Sequence, residues 1–128
     1  MKLLLDTHAL LFWIYEPSRL GAGALRALAD RDNQVFWSVA SSWEVAIKVG
    51  LGKLHLDGPV SEVIPSELLR HGFTLLPIDH AHVLAVSDLP PHHGDPFDRL
   101  LVAQAQAEGL ALVSYDAKLA PYGVAMVW

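Results

Sequence analysis

The sequence predicts an α/β fold, a single α/β/α sandwich whose central parallel sheet has about five strands. Three observations carry this expectation. Five runs of four or five residues are almost wholly apolar, as strands buried on both faces are. Longer stretches with helical spacing separate them, and glycines stand where three of those helices should stop. Strand, helix and strand repeated along 128 residues lead to a parallel sheet covered on both faces. No repeat, low-complexity tract or charge block divides the chain, so one domain over 1–128 is expected.

Taken in order, the first strand is Lys2–Leu5, and Asp6 ends it as a candidate N-cap for a helix over His8–Tyr15. A second helix over Ala22–Ala29 precedes the strand Val35–Val39. Ser41-Ser42-Trp43-Glu44 is a capping-box pattern that opens a helix over Ser42–Val49, with Gly50 as its stop. Val60–Arg70 is helical up to Gly72, Thr74–Ile78 is the third strand, and His80–Val86 is a short helix. Asp95-Pro96-Phe97-Asp98 starts the helix Phe97–Glu108, with Asp95 as cap, Pro96 in the first position and Asp98 facing the helix dipole. In that helix Phe97, Leu100, Leu101, Ala103, Ala105 and Ala107 are apolar, and Gln104 and Gln106 are expected to face solvent. Gly109 ends it, and the strands Ala111–Ser114 and Val124–Val127 follow. Gly50, Gly72 and Gly109 are each expected in the left-handed conformation that ends helices.

Composition narrows the function classes. The chain has no cysteine, which excludes disulfide scaffolds, thiolate zinc sites, iron–sulfur clusters and cysteine nucleophiles. The longest apolar run, Ala9 to Tyr15, is far short of the roughly 20 residues that span a bilayer. Asp6 and His8 interrupt the place where a signal peptide would be apolar. A cytoplasmic protein without a membrane partner is the expectation. Apolar residues make up 52 % of the chain and charged residues 18 %, against about 25 % charged in ordinary domains. Either the core is thick with leucine and alanine, or apolar surface is left for a partner.

In open parallel sheets, ligands bind where strands end at their carboxyl ends. Asp6 ends the first strand, Asp116 follows the fourth, Glu44 lies five residues past the second in the first helical turn, and Asp95 and Asp98 open the helix leading to the fourth. Each has a structural role to offer: Asp6 and Asp95 as caps, Glu44 as a capping-box acid or ion-pair partner of Lys48, Asp116 in a turn. Capping alone does not require these helix starts to share one sheet edge. Two carboxylates about 5 Å apart repel by roughly 3 kcal/mol at an effective dielectric of 20, so a cluster persists by protonating or by holding cations. Carboxylates without cysteine or an ordered histidine pair specify a hard cation, Mg²⁺ or Mn²⁺. Such a site suits phosphodiester hydrolysis.

The blocks Asp6-Thr7-His8-Ala9-Leu10-Leu11, Ser42-Trp43-Glu44 with Lys48 and Gly52-Lys53-Leu54, His93-Gly94-Asp95-Pro96-Phe97-Asp98-Arg99-Leu100-Leu101, and Leu112-Val113-Ser114-Tyr115-Asp116 resemble the signature blocks of PIN-domain ribonucleases. They are most similar to those of the VapC toxins of bacterial toxin–antitoxin pairs, nearly end to end and in the same order. The resemblance implies a Mg²⁺- or Mn²⁺-dependent endoribonuclease whose four acids are Asp6, Glu44, Asp98 and Asp116. It places Ser114 where the family has a Ser or Thr that helps position water or metal. Asp95 belongs to the same block but reads mainly as the cap. The resemblance also implies a homodimer and a small antitoxin whose carboxyl-terminal segment lies in an apolar groove, with an Arg that can pair with the acids. Leu11, Phe12, Tyr15 and Leu51 are the apolar residues expected to flank the site mouth. Gly94 departs from the pattern, since this branch usually carries Arg there, which weakens a contact to RNA phosphate and leaves the acids intact.

The seven histidines show no zinc spacing, and His80 and His82 point to different sides of a helix. His8 follows Asp6 into the site mouth and is either an exposed first-turn residue or a contact to RNA or metal-bound water. Arg99 either orients a phosphate or pairs with a neighbouring acid. Phe12, Trp13, Tyr15, Phe36, Trp37 and Trp43 read as core or interface. The net charge of −5 becomes −1 without the four acids, which permits weak RNA binding through metal and Lys48, Lys53, Arg99 and Lys118. No glycine-rich phosphate loop exists. A Mg²⁺-binding phosphoacceptor or phosphatase-like domain and an inactive binding module of the same fold are the rival readings.

Overall fold

A computed structural model describes residues 1–128. Its five strands are β1 (Lys2–Leu5), β2 (Gln34–Ser38), β3 (Thr74–Leu76), β4 (Ala111–Val113) and β5 (Met126–Val127). The helices are α1 (Thr7–Tyr15), α2 (Ala22–Ala29), α3 (Val39–Gly50), α4 (Val60–His71), α5 (His80–Val86) and α6 (Pro96–Glu108), with 3-10 turns at Pro17–Arg19 and Ala117–Tyr122. All four strand pairings are parallel, in the order β3-β2-β1-β4-β5. The expected sandwich is present, with shorter outer strands than the apolar runs suggest.

Alternation along β1 builds two cores. Leu3 and Leu5 join Val35, Trp37 and Val113 on one face, under Ala9, Leu10 and Phe12 of α1, Ala24 and Leu28 of α2, and Ile64 and Leu68 of α4. Leu4 and Leu112 face the other way, against Leu101, Val102 and Ala105 of α6 and Leu119 and Tyr122. The three β1 leucines are wholly buried, which is why the run carries no polar alternation. From β1 the chain proceeds to β2 and β3 on one side, while β4 and β5 lie on the other. The order therefore reverses between β1 and β4, and a crevice opens at their carboxyl ends. Asp6 N–H donates to Val113 O at 3.0 Å across that seam.

Four local expectations need correction. α3 starts at Val39, because Ser38 Oγ, at the end of β2, already accepts from Ala40 N–H at 3.0 Å. The Ser41–Glu44 capping box is therefore absent, and Glu44 lies in the second turn with its carboxylate turned elsewhere. Gly50 stays helical, and the left-handed glycine is Gly52 two residues on (φ 71°), while Gly72 and Gly109 are left-handed as expected. Gln104 is fully buried rather than solvent-facing. It accepts from Ser38 Oγ and donates to Pro77 O, tying α6 to the ends of β2 and β3. Gln106 is exposed, with Nε2 on Tyr122 O at 3.2 Å.

Candidate metal and nucleic-acid site

At the crevice, Asp6, His8, Asp98, Tyr115 and Asp116 line a cavity of about 250 Å³. Asp6 is the N-cap of α1, buried, with Oδ1 accepting from His8 N–H at 3.2 Å and Oδ2 accepting from Ser114 Oγ at 2.7 Å. Ser114 in turn accepts from Asp116 N–H at 3.2 Å, so one buried hydroxyl sets the spacing of two acids from different strands. Asp116 caps the 3-10 turn that follows, accepting from Lys118 N–H at 3.0 Å. Asp98 enters from the first turn of α6, whose cap is Asp95, with Oδ1 accepting from Phe97 and Asp98 N–H.

Glu44 stands apart. It is buried but does not line the cavity. Thr7 Oγ1 donates to its Oε1 at 2.7 Å, and Lys48 Nζ meets its Oε2 at 2.7 Å. The i,i+4 pair expected with Lys48 forms. Thr7 Oγ1 also lies 2.9 Å from Ser41 Oγ, fixing α1 against α3 beside the acids.

The electrostatics follow from this layout. Burial works to raise the Asp6 pKa, but hydrogen bonds from His8 and Ser114 outweigh it and hold the carboxyl below its usual range. The same contact with Asp6 raises His8 against the pull of burial. Asp98 has weaker support: burial and the charges of Asp6 and Asp95 push it up from 3.8 to about 6, against the opposing pull of His93. Burial pulls Lys48 down, yet Glu44 leaves it above its usual value. No lysine or arginine lines the cavity.

Two residues with no site role assigned from the sequence belong here. His93 Nε2 lies 2.8 Å from Asp98 Oδ2 and 3.4 Å from Asp116 Oδ2. Asp95 N–H approaches its Nδ1 at 3.4 Å, a geometry in which Nε2 carries the proton and donates to the acids. Its place five residues before Asp98 was the available signal. Tyr115 lines the cavity while remaining largely exposed, as the residue between inward-turned Ser114 and Asp116 must. Arg99 meets neither an acid nor the cavity. Its guanidinium donates to the carbonyls of Val86, Leu89 and Pro90 and to Tyr122 Oη, bracing the loop before α6. Phe12, expected among the apolar residues at the mouth, is buried, whereas Tyr15 and Leu51 are exposed. Trp43 is also exposed rather than core.

The sequence profile described as PIN domain matches residues 3–124. The chain belongs to the PIN-domain family. It is 32 % identical over 117 residues to Ribonuclease VapC22 of Mycobacterium tuberculosis H37Rv, a match covering 91 % of this PIN domain and 88 % of the relative. Ribonuclease VapC16 of the same strain is 41 % identical over 68 residues, covering 50 % of this chain and 48 % of the relative. The fold is shared with VapBC2 of Rickettsia felis bound to a promoter DNA fragment, with TM-score 0.73, 16 % identity and coverage of 98 % and 97 % of the two chains. It is shared also with VapBC-1 of nontypeable Haemophilus influenzae, with TM-score 0.65, 15 % identity and coverage of 98 % and 96 %. No helix of this PIN domain is long and apolar enough to cross a membrane.

Proposed function

We propose that this PIN domain is a divalent-metal-dependent endoribonuclease and the toxin of a toxin–antitoxin pair. The observation that carries the reading is the meeting of Asp6, Asp98 and Asp116, from three separate parts of the chain, in one cavity at the sheet's switch point with no lysine or arginine lining it. Caps alone do not account for it. Burial, with the charges of Asp6 and Asp95, lifts Asp98 to about 6, so the site is short of positive charge. A carboxylate-rich donor set with that deficit, beside the His93 imidazole, fits Mg²⁺ or Mn²⁺. Asp6, Asp98 and Asp116 would hold the ion, with Glu44 as the fourth acid beside them.

When bound, such an ion lowers the pKa of water and stabilises the departing oxygen of a phosphodiester. The chain's own residues supply the rest. Ser114 holds Asp6 and Asp116 in register, His93 orients Asp98, and Arg99 locks the loop that carries His93. The names of the curated relatives, both ribonucleases, favour RNA over a phosphoacceptor role, and retention of all four acids favours an active enzyme over a binding module.

The toxin half of the reading rests on apolar surface. A groove of about 730 Å³ between α3 and α4 is lined by nine apolar side chains among twelve, including Trp43, Ile64, Leu68 and Leu69. Leu69, Trp43 and Leu75 of its lining are each more than half exposed, an apolar face with room for a partner. A small antitoxin segment laid there and a homodimer account for that surface; an Arg from the antitoxin pairs with the acids in place of metal. The nuclease reading is tested by incubating the purified protein with a mixed RNA pool with and without Mg²⁺ and mapping the new ends. Metal-dependent internal cuts are expected, and an intact pool under both conditions refutes the enzyme. Co-expression with the product of the neighbouring reading frame tests the partner through complex mass and lost activity.

A further inference from the structure

We propose that Tyr115 is a stacking platform for one nucleobase of single-stranded RNA, a specificity-determining subsite at the mouth of the acidic cavity; the proposal rests on the ribonuclease reading above. The three residues at the end of β4 divide their directions. Ser114 is turned in and bonded to Asp6, Asp116 faces the acids, and Tyr115 is left 55 % exposed on the cavity wall. A large ring held in water beside a charged cavity gains nothing for the fold where it is exposed.

The ring is also braced. Phe12 lies 6.3 Å away at 29°, close to parallel, and Trp128 lies 5.0 Å away at 46°. Phe12 is itself buried in the core of the first sheet face. An aromatic ring held from behind and open in front loses little freedom when a planar ligand stacks on it. Beyond Phe12, the Arg19 guanidinium sits 4.3 Å over the Phe12 ring. That guanidinium also lies 3.8 Å from the Glu16 carboxylate, so its charge is met within the chain. The aromatic cluster opens on the carboxylates at its other end, which matches an RNA strand with its scissile phosphate at the acids and a base on Tyr115. A base inside a duplex has no free face to offer such a wall, so the strand must be single.

The test compares the parent with Tyr115→Ala and Tyr115→Phe on a short single-stranded RNA of mixed sequence, measuring KM, kcat and cleavage-site preference. Loss of one stacked base predicts a roughly ten- to hundred-fold rise in KM, little movement in kcat, and a changed preference next to the cut, with Phe restoring the parent values. Two further measurements keep the arms apart. Anisotropy of a labelled oligoribonucleotide on the uncut Asp6→Asn background should show the same loss on Tyr115→Ala, whereas Mn²⁺ titration calorimetry of Tyr115→Ala should match the parent. Unchanged KM and oligonucleotide affinity overturn the proposal, as does Mn²⁺ affinity that falls in step with RNA affinity, since the residue would then be shaping Asp116. Weakened capture of the neighbour-encoded protein with RNA binding intact also overturns it, in favour of a protein contact. A parent that binds the oligonucleotide through Tyr115 but cuts no RNA would overturn the enzyme reading and leave the subsite standing.

Discussion

Asp98→Asn should stabilise the metal-free protein, and the gain should depend on pH in one direction. Asp98 carries the largest cost in the cavity: burial, Asp6 and Asp95 lift its pKa from 3.8 to about 6. At about 1.4 kcal/mol per unit this is roughly 3 kcal/mol against the charged form. The side chain is 17 % exposed, so solvent screening removes little of it. Asparagine keeps an oxygen that accepts from His93 Nε2, now without charge assistance, which returns about 1 kcal/mol. The net expectation is about 2 kcal/mol at pH 7.5, or roughly 6–10 °C in Tm for a domain of this size. The sign comes from proton uptake. Between pH 4 and 6 the folded parent binds more protons at Asp98 than the unfolded chain does, so its stability falls as pH rises through that window. The asparagine variant lacks this slope. Urea unfolding in EDTA at pH 4, 5, 6 and 7.5 should show curves that coincide at pH 4 and separate by pH 7. Parallel profiles, or a variant less stable than the parent at pH 7.5, would refute the reasoning that the acids repel.

Two other outcomes follow from the same geometry. Asp6→Asn should keep the fold, because Asn caps a helix as well as Asp with its one oxygen on His8 N–H while its Nδ2 faces Ser114 Oγ as a donor where the second carboxylate oxygen had accepted, yet lower RNA cleavage by at least about a hundred-fold through loss of a ligand charge; initial rates on one RNA check it. Millimolar Mn²⁺ should raise the parent Tm by mass action and raise that of Asp98→Asn much less, as differential scanning fluorimetry would show.

The legible part of the fold was the part governed by burial on both faces. Leu3-Leu4-Leu5 and Leu112-Val113 are apolar without interruption because each strand is covered from two sides, and that pattern needs no tertiary information. Asp6, Asp98 and Asp116 were legible for a related reason: strand ends and helix starts are marked locally by acids, proline and glycine. The start of α3 was not. Ser38, Ser41 and Ser42 are all competent caps, and the choice of Ser38 depends on Gln104 arriving from α6 to hold its hydroxyl, a contact 66 residues away. The misassignment of Gln104 has the same root, since glutamine in a helix is ordinarily exposed and here meets two strand ends. His93 was hidden because its role depends on the loop that Arg99 folds back with three carbonyl contacts.

That leaves Glu44, whose chemistry the sequence and the structure weigh differently. The sequence groups it with three other acids, whereas the structure gives its two oxygens to Thr7 and Lys48. Its charge is already met, and the poorly met charge in the cavity is that of Asp98. A metal ion arriving there meets Lys48 as a competitor, since Lys48 is close enough to feel the charges of Asp95 and Asp98. Lys48→Met should therefore act in two opposed ways. Without metal it strands a buried carboxylate, at a cost of about 3 kcal/mol, less where the exposed side of Lys48 lets water reach Glu44. With metal the freed Oε2 would be available as a donor and a repelling cation is gone, so Mn²⁺ should bind at least about ten-fold more tightly, a factor that needs only about 1.4 kcal/mol. Calorimetric titration of Mn²⁺ into parent and Lys48→Met, beside urea unfolding in EDTA, reads both effects. Destabilisation with Mn²⁺ affinity unchanged or weakened would mean that Glu44 serves as the anchor of Lys48 and takes no part in holding the ion.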